Sequence, residues 1–177
     1  PDVRFFAVGE AYSNLVRLYH AASGTAFATL KGHRDHVSCV AISPDSRPIV
    51  SGARNMLVWD SETGEQLAMT GGGGLHSLAF SPDGTRIVTG TEDGLLRFWD
   101  TETRSLLCTL RGHDGVVTAL AFSPDDKRIV SGSLAAGTRV WDTELSSARK
   151  MWHADALRYA LRRGAAPVNE RSFSPDG

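Results

Sequence analysis

Three Trp-Asp dipeptides, Trp59-Asp60, Trp99-Asp100 and Trp141-Asp142, stand 40 and 42 residues apart in a chain of 177. A period of that length constrains the fold more than any local propensity, because each copy must be one supersecondary unit that buries its faces on its neighbours. A turn recurs in step with the tryptophans. It reads Ile42-Ser43-Pro44-Asp45, then Phe80-Ser81-Pro82-Asp83-Gly84, Phe122-Ser123-Pro124-Asp125-Asp126 and Phe173-Ser174-Pro175-Asp176-Gly177. In the copy from Phe80 to Asp100, proline fixes φ at the second turn position and glycine tolerates positive φ at the fourth. Arg86 to Gly90 comes next as a short β-branched strand. Asp93-Gly94 is the dipeptide favoured in two-residue hairpins, and Leu95 to Trp99 reads as a further strand with apolar residues two apart. The repeat is therefore an antiparallel meander that ends in Trp-Asp.

Taken in order, the chain opens inside a copy. Val3 to Val8, Leu15 to Tyr19 and Ala26 to Leu30 read as strands, with Tyr19-His20 where Trp-Asp would fall. Residues 31–70 hold a full set of four strands, 71–110 a second and 111–152 a third. The pattern slips over 153–167 and recovers at Val168, which precedes Ser174 by the same six residues that separate Val37 from Ser43 and Val117 from Ser123. Residues 168–177 then supply the first strand of another copy.

Gly32-His33 and Gly112-His113 each place their histidine ten residues before the turn serine. With these the chain resembles the WD-repeat family, whose β-propellers carry a Gly-His, a Trp-Asp and a four-stranded blade per period. The fold this implies is all-β: a partial propeller of three complete blades and two incomplete terminal ones. The resemblance also implies a buried structural network in which the histidine bonds a strand-two hydroxyl and a turn aspartate, and the hydroxyl meets the tryptophan N–H. Carried onto this chain, the network is His33, Ser51 and Trp59 in the first full repeat; Thr89, Asp93 and Trp99 in the second; and His113, Ser131 and Trp141 in the third. Each copy lacks a member. Arg54-Asn55 offers no aspartate, Gly71 stands at the histidine position, and Ala135 aligns with Asp93. An array with such gaps is expected to be less stable than a complete one, by about 1–3 kcal/mol for each partner left buried and unpaired.

Chemistry is not encoded in these recurrent residues. Ser51 sits in mid-strand, without the sharp elbow of a G-x-S-x-G nucleophile. His33 and His36 are three apart but lack further ligands nearby, so no metal is expected. Gly71 to Gly74 runs into a strand, with no Lys-Ser/Thr and no helix after it, and reads as a flexible link between blades in place of a phosphate loop. No catalytic residue and no cofactor is called for. The net charge of −1 predicts neither nucleic acid nor an anionic membrane as partner. No apolar run is long enough for a membrane helix. Cys39 and Cys108 lack a C-x-x-C partner and read as reduced, packed thiols, which favours an intracellular setting, cytoplasmic or nuclear.

In the family the resemblance names, binding uses the propeller face built by the loop between strands four and one and the turn between strands two and three. Here those positions are Arg34, Asp35, His36, Asp114 and Val116 in the loops and Arg54, Glu92 and Leu134 in the turns, with His76 early in a first strand. A different candidate lies in the slipped region. His153 to Gly164 carries Leu157, Ala160 and Leu161 at helical spacing, with Arg158, Arg162 and Arg163 on other faces, and residues 143–172 hold six basic residues against three acidic. An amphipathic rim helix facing an anionic partner is the functional reading of that segment.

Together these features imply a non-catalytic scaffold that presents propeller loops to a protein or peptide. The alternative is a sensor or regulatory module of an enzyme or signalling NTPase whose catalytic domain lies elsewhere. An open arc also leaves two blade faces wet. Each hundred Å² of exposed apolar surface forgoes about 2.5 kcal/mol against a domain stability of about 5–15 kcal/mol. Closure by further repeats or by self-association is therefore expected.

Overall fold

The computed structural model describes residues 4–10, 12–71 and 73–143. Among them are fourteen strands and no helix, in four antiparallel sheets. The first sheet is β1 (Phe5–Glu10), β2 (Leu15–His20) and β3 (Ala26–Lys31). The second is β4 (Cys39–Ile42), β5 (Pro48–Gly52), β6 (Asn55–Asp60) and β7 (Gln66–Gly71). The third is β8 (Leu75–Phe80), β9 (Arg86–Thr91), β10 (Leu95–Asp100) and β11 (Leu106–Arg111). The fourth is β12 (Val117–Phe122), β13 (Arg128–Ser133) and β14 (Gly137–Asp142). In each sheet, consecutive strands pair in chain order. A fourth strand for the last sheet, the inserted rim helix and the strand at 168–177 fall outside the described residues, as do Arg158, Arg162 and Arg163.

The sheets stand side by side, with the first strands β4, β8 and β12 adjacent to one another. Because side chains alternate across a strand, one sheet feeds two cores. Ile49, Leu57 and Trp59 join Val16, Leu18, Leu30 and Val37 on one side, while Val50, Met56 and Val58 join Leu75, Leu78, Ile87 and Trp99 on the other. Val88, Leu96 and Phe98 then meet Val117 and Ile129. The seams are keyed by glycine. A Cβ added at Gly9 would stand 2.6 Å from Val37 Cγ1, one at Gly52 would stand 3.0 Å from Leu75 Cβ, and one at Gly90 would stand 2.6 Å from Val117 Cγ1. Each glycine is thus a socket for the first apolar residue of the next sheet. Among the described residues, Gly132 in the last sheet has only the Ala119 Cβ in reach, at 3.5 Å.

Two turns repeat with the sheets. The Ser81 carbonyl accepts the Gly84 N–H at 2.9 Å, with Gly84 at φ +72°. Ser46 and Asp126 hold the same left-handed conformation without being glycine, at φ +61° and +58°. The turn aspartate makes this tolerable: Asp45, Asp83 and Asp125 each accept the serine hydroxyl and a backbone N–H two residues on. The Asp of Trp-Asp caps the turn before the outermost strand. Asp60 accepts the Glu62 and Thr63 N–H groups at 2.9 and 2.8 Å, and Asp100 accepts those of Glu102 and Thr103.

Three local expectations are corrected. Asp93-Gly94 is not the centre of a two-residue hairpin. Residues 92–94 form a three-residue loop in which Thr91 O accepts the Gly94 N–H at 3.2 Å and only Gly94 takes positive φ, the pattern of a type I turn closed by a left-handed glycine. The first strand of the second sheet begins at Cys39 and not at Val37, because β5 ends at Gly52 and Ala53, which corresponds to the ladder partners Thr91 and Ser133 of Leu75 and Val117, lies in the short turn. Gly73 and Gly74, after β7, are not a slack link. Gly73 and Gly74 adopt φ +72° and +68°, Gly74 N–H donates to Arg54 O, and Gly74 O accepts the Glu92 N–H at 2.8 Å.

The two end sheets differ from the middle ones in exposure. Val130 is 41% exposed where its equivalents Val50 and Val88 are fully buried. Phe6 and Val8 are each 40% exposed where Ile49 and Ser51 are fully buried. Phe6 stacks on Tyr19 at 5.2 Å on that face.

Candidate functional site

The recurrent polar residues converge on each tryptophan N–H. In the second sheet the Trp59 indole N–H donates to Ser51 Oγ at 2.7 Å, and His33 Nε2 lies 2.6 Å from the same oxygen. The fourth sheet repeats this with Trp141 to Ser131 at 2.7 Å and His113 Nε2 to Ser131 at 2.6 Å. Each serine is fully buried. Among the described residues neither hydroxyl has another acceptor, so its hydrogen goes to the imidazole, with Nε2 as acceptor and the ring proton on Nδ1. Burial lowers the pKa of both histidines, which favours this neutral state. His113 Nδ1 is buried without a partner among the described residues. Ala135, which aligns with Asp93, has no side-chain acceptor to offer.

The third sheet solves the same problem differently. Trp99 N–H donates to Thr89 Oγ1 at 3.0 Å, and the threonine hydroxyl passes its own hydrogen to Arg97 O at 3.4 Å. Asp93 stands apart from this pair. Its carboxylate accepts from the Thr91 hydroxyl and from Arg97 Nη2, the latter at 3.1 Å. The sheet that lacks the imidazole therefore satisfies its hydroxyl through the backbone.

One end of the sheets gathers the loops before the first strands and the turns after the second. Asp35, His36, Arg54, His76 and Glu92 line a single depression of about 530 Å³ there, at the seam between the second and third sheets. Asp35 accepts the His36 N–H at 3.0 Å and faces Arg54 Nε at 3.6 Å. That backbone bond is the main reason its carboxyl lies below the ordinary range. A register shift between Leu75 and Ser77 sets His76 in a bulge at the rim of the depression. Arg34 is exposed in the same loop but does not line it.

The next seam is filled. Gly94 abuts the His113 carbonyl, and a Cβ at Gly115 would meet Ala135 at 2.8 Å. Of the remaining loop positions, Asp114 and Leu134 are exposed there and Val116 is half-buried, its carbonyl accepting the Leu134 N–H at 3.2 Å. Among the described residues no group of three or more His, Cys, Asp or Glu is placed to hold a metal ion. The depression itself was not foreseen from the sequence. Its signal was there, in two shortened connections: the two-residue turn Ala53-Arg54, and a glycine run two residues shorter than the Gly-His loops on either side.

A profile for the family described as "WD domain, G-beta repeat" matches residues 24–60, 65–100 and 104–142. The chain is 36% identical over 87 residues to "Small ribosomal subunit protein RACK1z" of Arabidopsis thaliana, which covers 48% of this chain and 26% of that protein. It is 34% identical over 113 residues to "Autophagy-related protein 16" of the same plant, covering 60% and 22%. To "WD repeat-containing protein 1" of Rattus norvegicus it is 28% identical over 88 residues, covering 46% and 14%. The matches span about a quarter or less of these relatives' own lengths. Repeated Trp-Asp strands, keyed antiparallel sheets and three matched segments lead to one conclusion: the chain belongs to the WD-repeat family and forms part of a β-propeller.

Proposed function

We propose that this chain is a non-catalytic interaction scaffold that holds a protein or peptide partner on the loop-bearing end of its sheets. The observation that carries the reading is the division of labour between buried and exposed polar groups. Ser51 and Ser131, the residues most like nucleophiles, are sealed and spent on tryptophan and histidine. Asp35, His36, Arg54, His76 and Glu92 are gathered round an open depression. One relative is named as a small ribosomal subunit protein and another as autophagy-related, names in keeping with a chain that acts by contact. Burial pushes the thiols of Cys39 and Cys108 up to about 11 and about 12. They serve as packing, in keeping with a reducing, intracellular setting. No described helix is long and apolar enough to cross a membrane.

The exposed faces at Val130 and at Phe6 and Val8 are covered in the working protein by further repeats or by another copy. The test has two parts. Replacing Arg54, His76 and Glu92 together with alanine is expected to abolish partner capture while leaving the far-ultraviolet circular dichroism unchanged; undiminished capture would remove the loop end from consideration. A monodisperse monomer with one sharp melt, formed by residues 1–177 alone, would count against the need for closure.

A further inference from the structure

The depression between the second and third sheets exists because two irregularities of the repeat meet. The turn Ala53-Arg54 is short, and so is the Gly-rich connection that faces it. The two are stitched together by Gly74 N–H to Arg54 O at 3.3 Å and Leu75 N–H to Ala53 O at 2.8 Å. The equivalent seam one sheet further on is closed by Gly94, His113 and Gly115. The depression, of about 530 Å³, is open to solvent along one side.

Its charges decide what fits. Asp35 is matched by Arg54. Arg97, whose guanidinium lies 3.6 Å from where a side chain at Gly73 would begin, is matched by Asp93. Glu92 is left. Its backbone N–H is fixed to Gly74 O, its carboxylate lies over Gly74, and that carboxylate has no partner among the described residues. His36 and His76 add two flat imidazoles to the same lining. An unmatched carboxylate on an exposed, flat-sided notch is complementary to a cation with apolar stem.

We propose that this notch receives an arginine or lysine side chain of a partner peptide, with Glu92 as the counter-charge. The inference rests on the loop-end reading and assigns its partner a chemistry. Acidic peptides and nucleic acid, which the Arg54 and Arg97 guanidiniums would otherwise attract, are disfavoured because both cations are already matched.

The test uses the purified chain and fluorescent nine-residue peptides of Gly and Ala with one central Arg, Lys, norleucine or Glu, read by fluorescence anisotropy. The Arg and Lys peptides are expected to bind at least tenfold more tightly than the norleucine and Glu peptides. Glu92→Gln should erase that preference and Glu92→Lys should reverse it. Glu102→Gln, at an exposed carboxylate in the turn between β10 and β11, should leave it unchanged. Equal binding of all four peptides, preference for Glu, or an effect of Glu102→Gln as large as that of Glu92→Gln would overturn the proposal. A native partner still captured through the loop end by Glu92→Gln at full strength would overturn it too, while leaving the scaffold reading standing; loss of capture only on changing residues away from that end would overturn both.

Discussion

The second and fourth sheets hold their tryptophan through a serine that depends on a histidine, whereas the third holds it through a threonine that depends on its own backbone. Ser51 and Ser131 hand their hydrogens to His33 and His113 across the seam. Thr89 hands its hydrogen to Arg97 O within the sheet. The difference teaches that the imidazole is one way to close a buried hydroxyl, and that a repeat can shed it once a carbonyl is in range. The loop before β8, which lacks the histidine, is also the short one, and the notch lined by Glu92 lies at that same seam.

The largest effect expected from this contrast is that of Ser51→Ala. It strands the Trp59 N–H, in a side chain only 1% exposed, and the His33 Nε2 together, at about 1–3 kcal/mol for each group. Thr89→Val strands the Trp99 N–H alone and should cost about half as much. Denaturant unfolding of the two variants checks the order, and a costlier Thr89→Val would break the contrast.

Acid comes next. Burial holds the pKa of His33 and His113 below the unfolded imidazole value of about 6.5. On acidification the unfolded chain takes up protons first, so this contribution is fully present above about pH 6.5 and is lost as pH falls through that value toward the folded pKa. A protonated Nε2 would also leave the serine hydroxyl hydrogen without its acceptor. Unfolding midpoints should therefore drop between about pH 7.5 and about pH 5.5, and the double variant His33→Gln, His113→Gln should flatten the slope. An unchanged slope would show that the imidazoles do not titrate with unfolding.

A smaller gain is expected from Ala135→Asp, which offers the orphaned His113 Nδ1 an acceptor. About 1 kcal/mol corresponds to roughly 2–4 °C in a chain of this size, readable in a thermal melt. Gly71→His should do least. The third sheet's hydroxyl is already satisfied and its loop no longer has the length to bring a ring over Thr89, so a change within about 0.5 kcal/mol is expected. A clear stabilisation by Gly71→His would mean that the third sheet is merely a damaged copy of its neighbours.

Much of this was legible in the amino-acid order because the repeat prints it several times. Trp59, Trp99 and Trp141 mark the same strand in three sheets, and the Ser-Pro-Asp turns mark its partner. The features that escaped are those that depend on two copies touching. Gly52 and Gly90 look like ordinary strand glycines until Leu75 and Val117 of the following sheet are set against them. His76 reads as an early strand residue until the shift beside Leu75 places it at a rim. Asp93 aligns with a network aspartate by sequence, yet without a histidine to meet it bonds Thr91 and Arg97. The notch is the sharpest case. Both of its short connections are visible in the sequence, but only the fold brings 53–54 and 73–74 together.

The glycine socket and its apolar knob come from opposite sides of one repeating pattern, so a duplicated stretch of chain arrives with one half of a seam cut to fit the copy before it and the other half ready for the copy after it. Such an array has a direction, like stacked cups, and it can lengthen by copying without inventing a new interface. The same polarity sets the two end sheets apart: among the described residues Gly132 has only the Ala119 Cβ within reach, and Phe6 and Val8 lie half-exposed on the opposite side of the pattern.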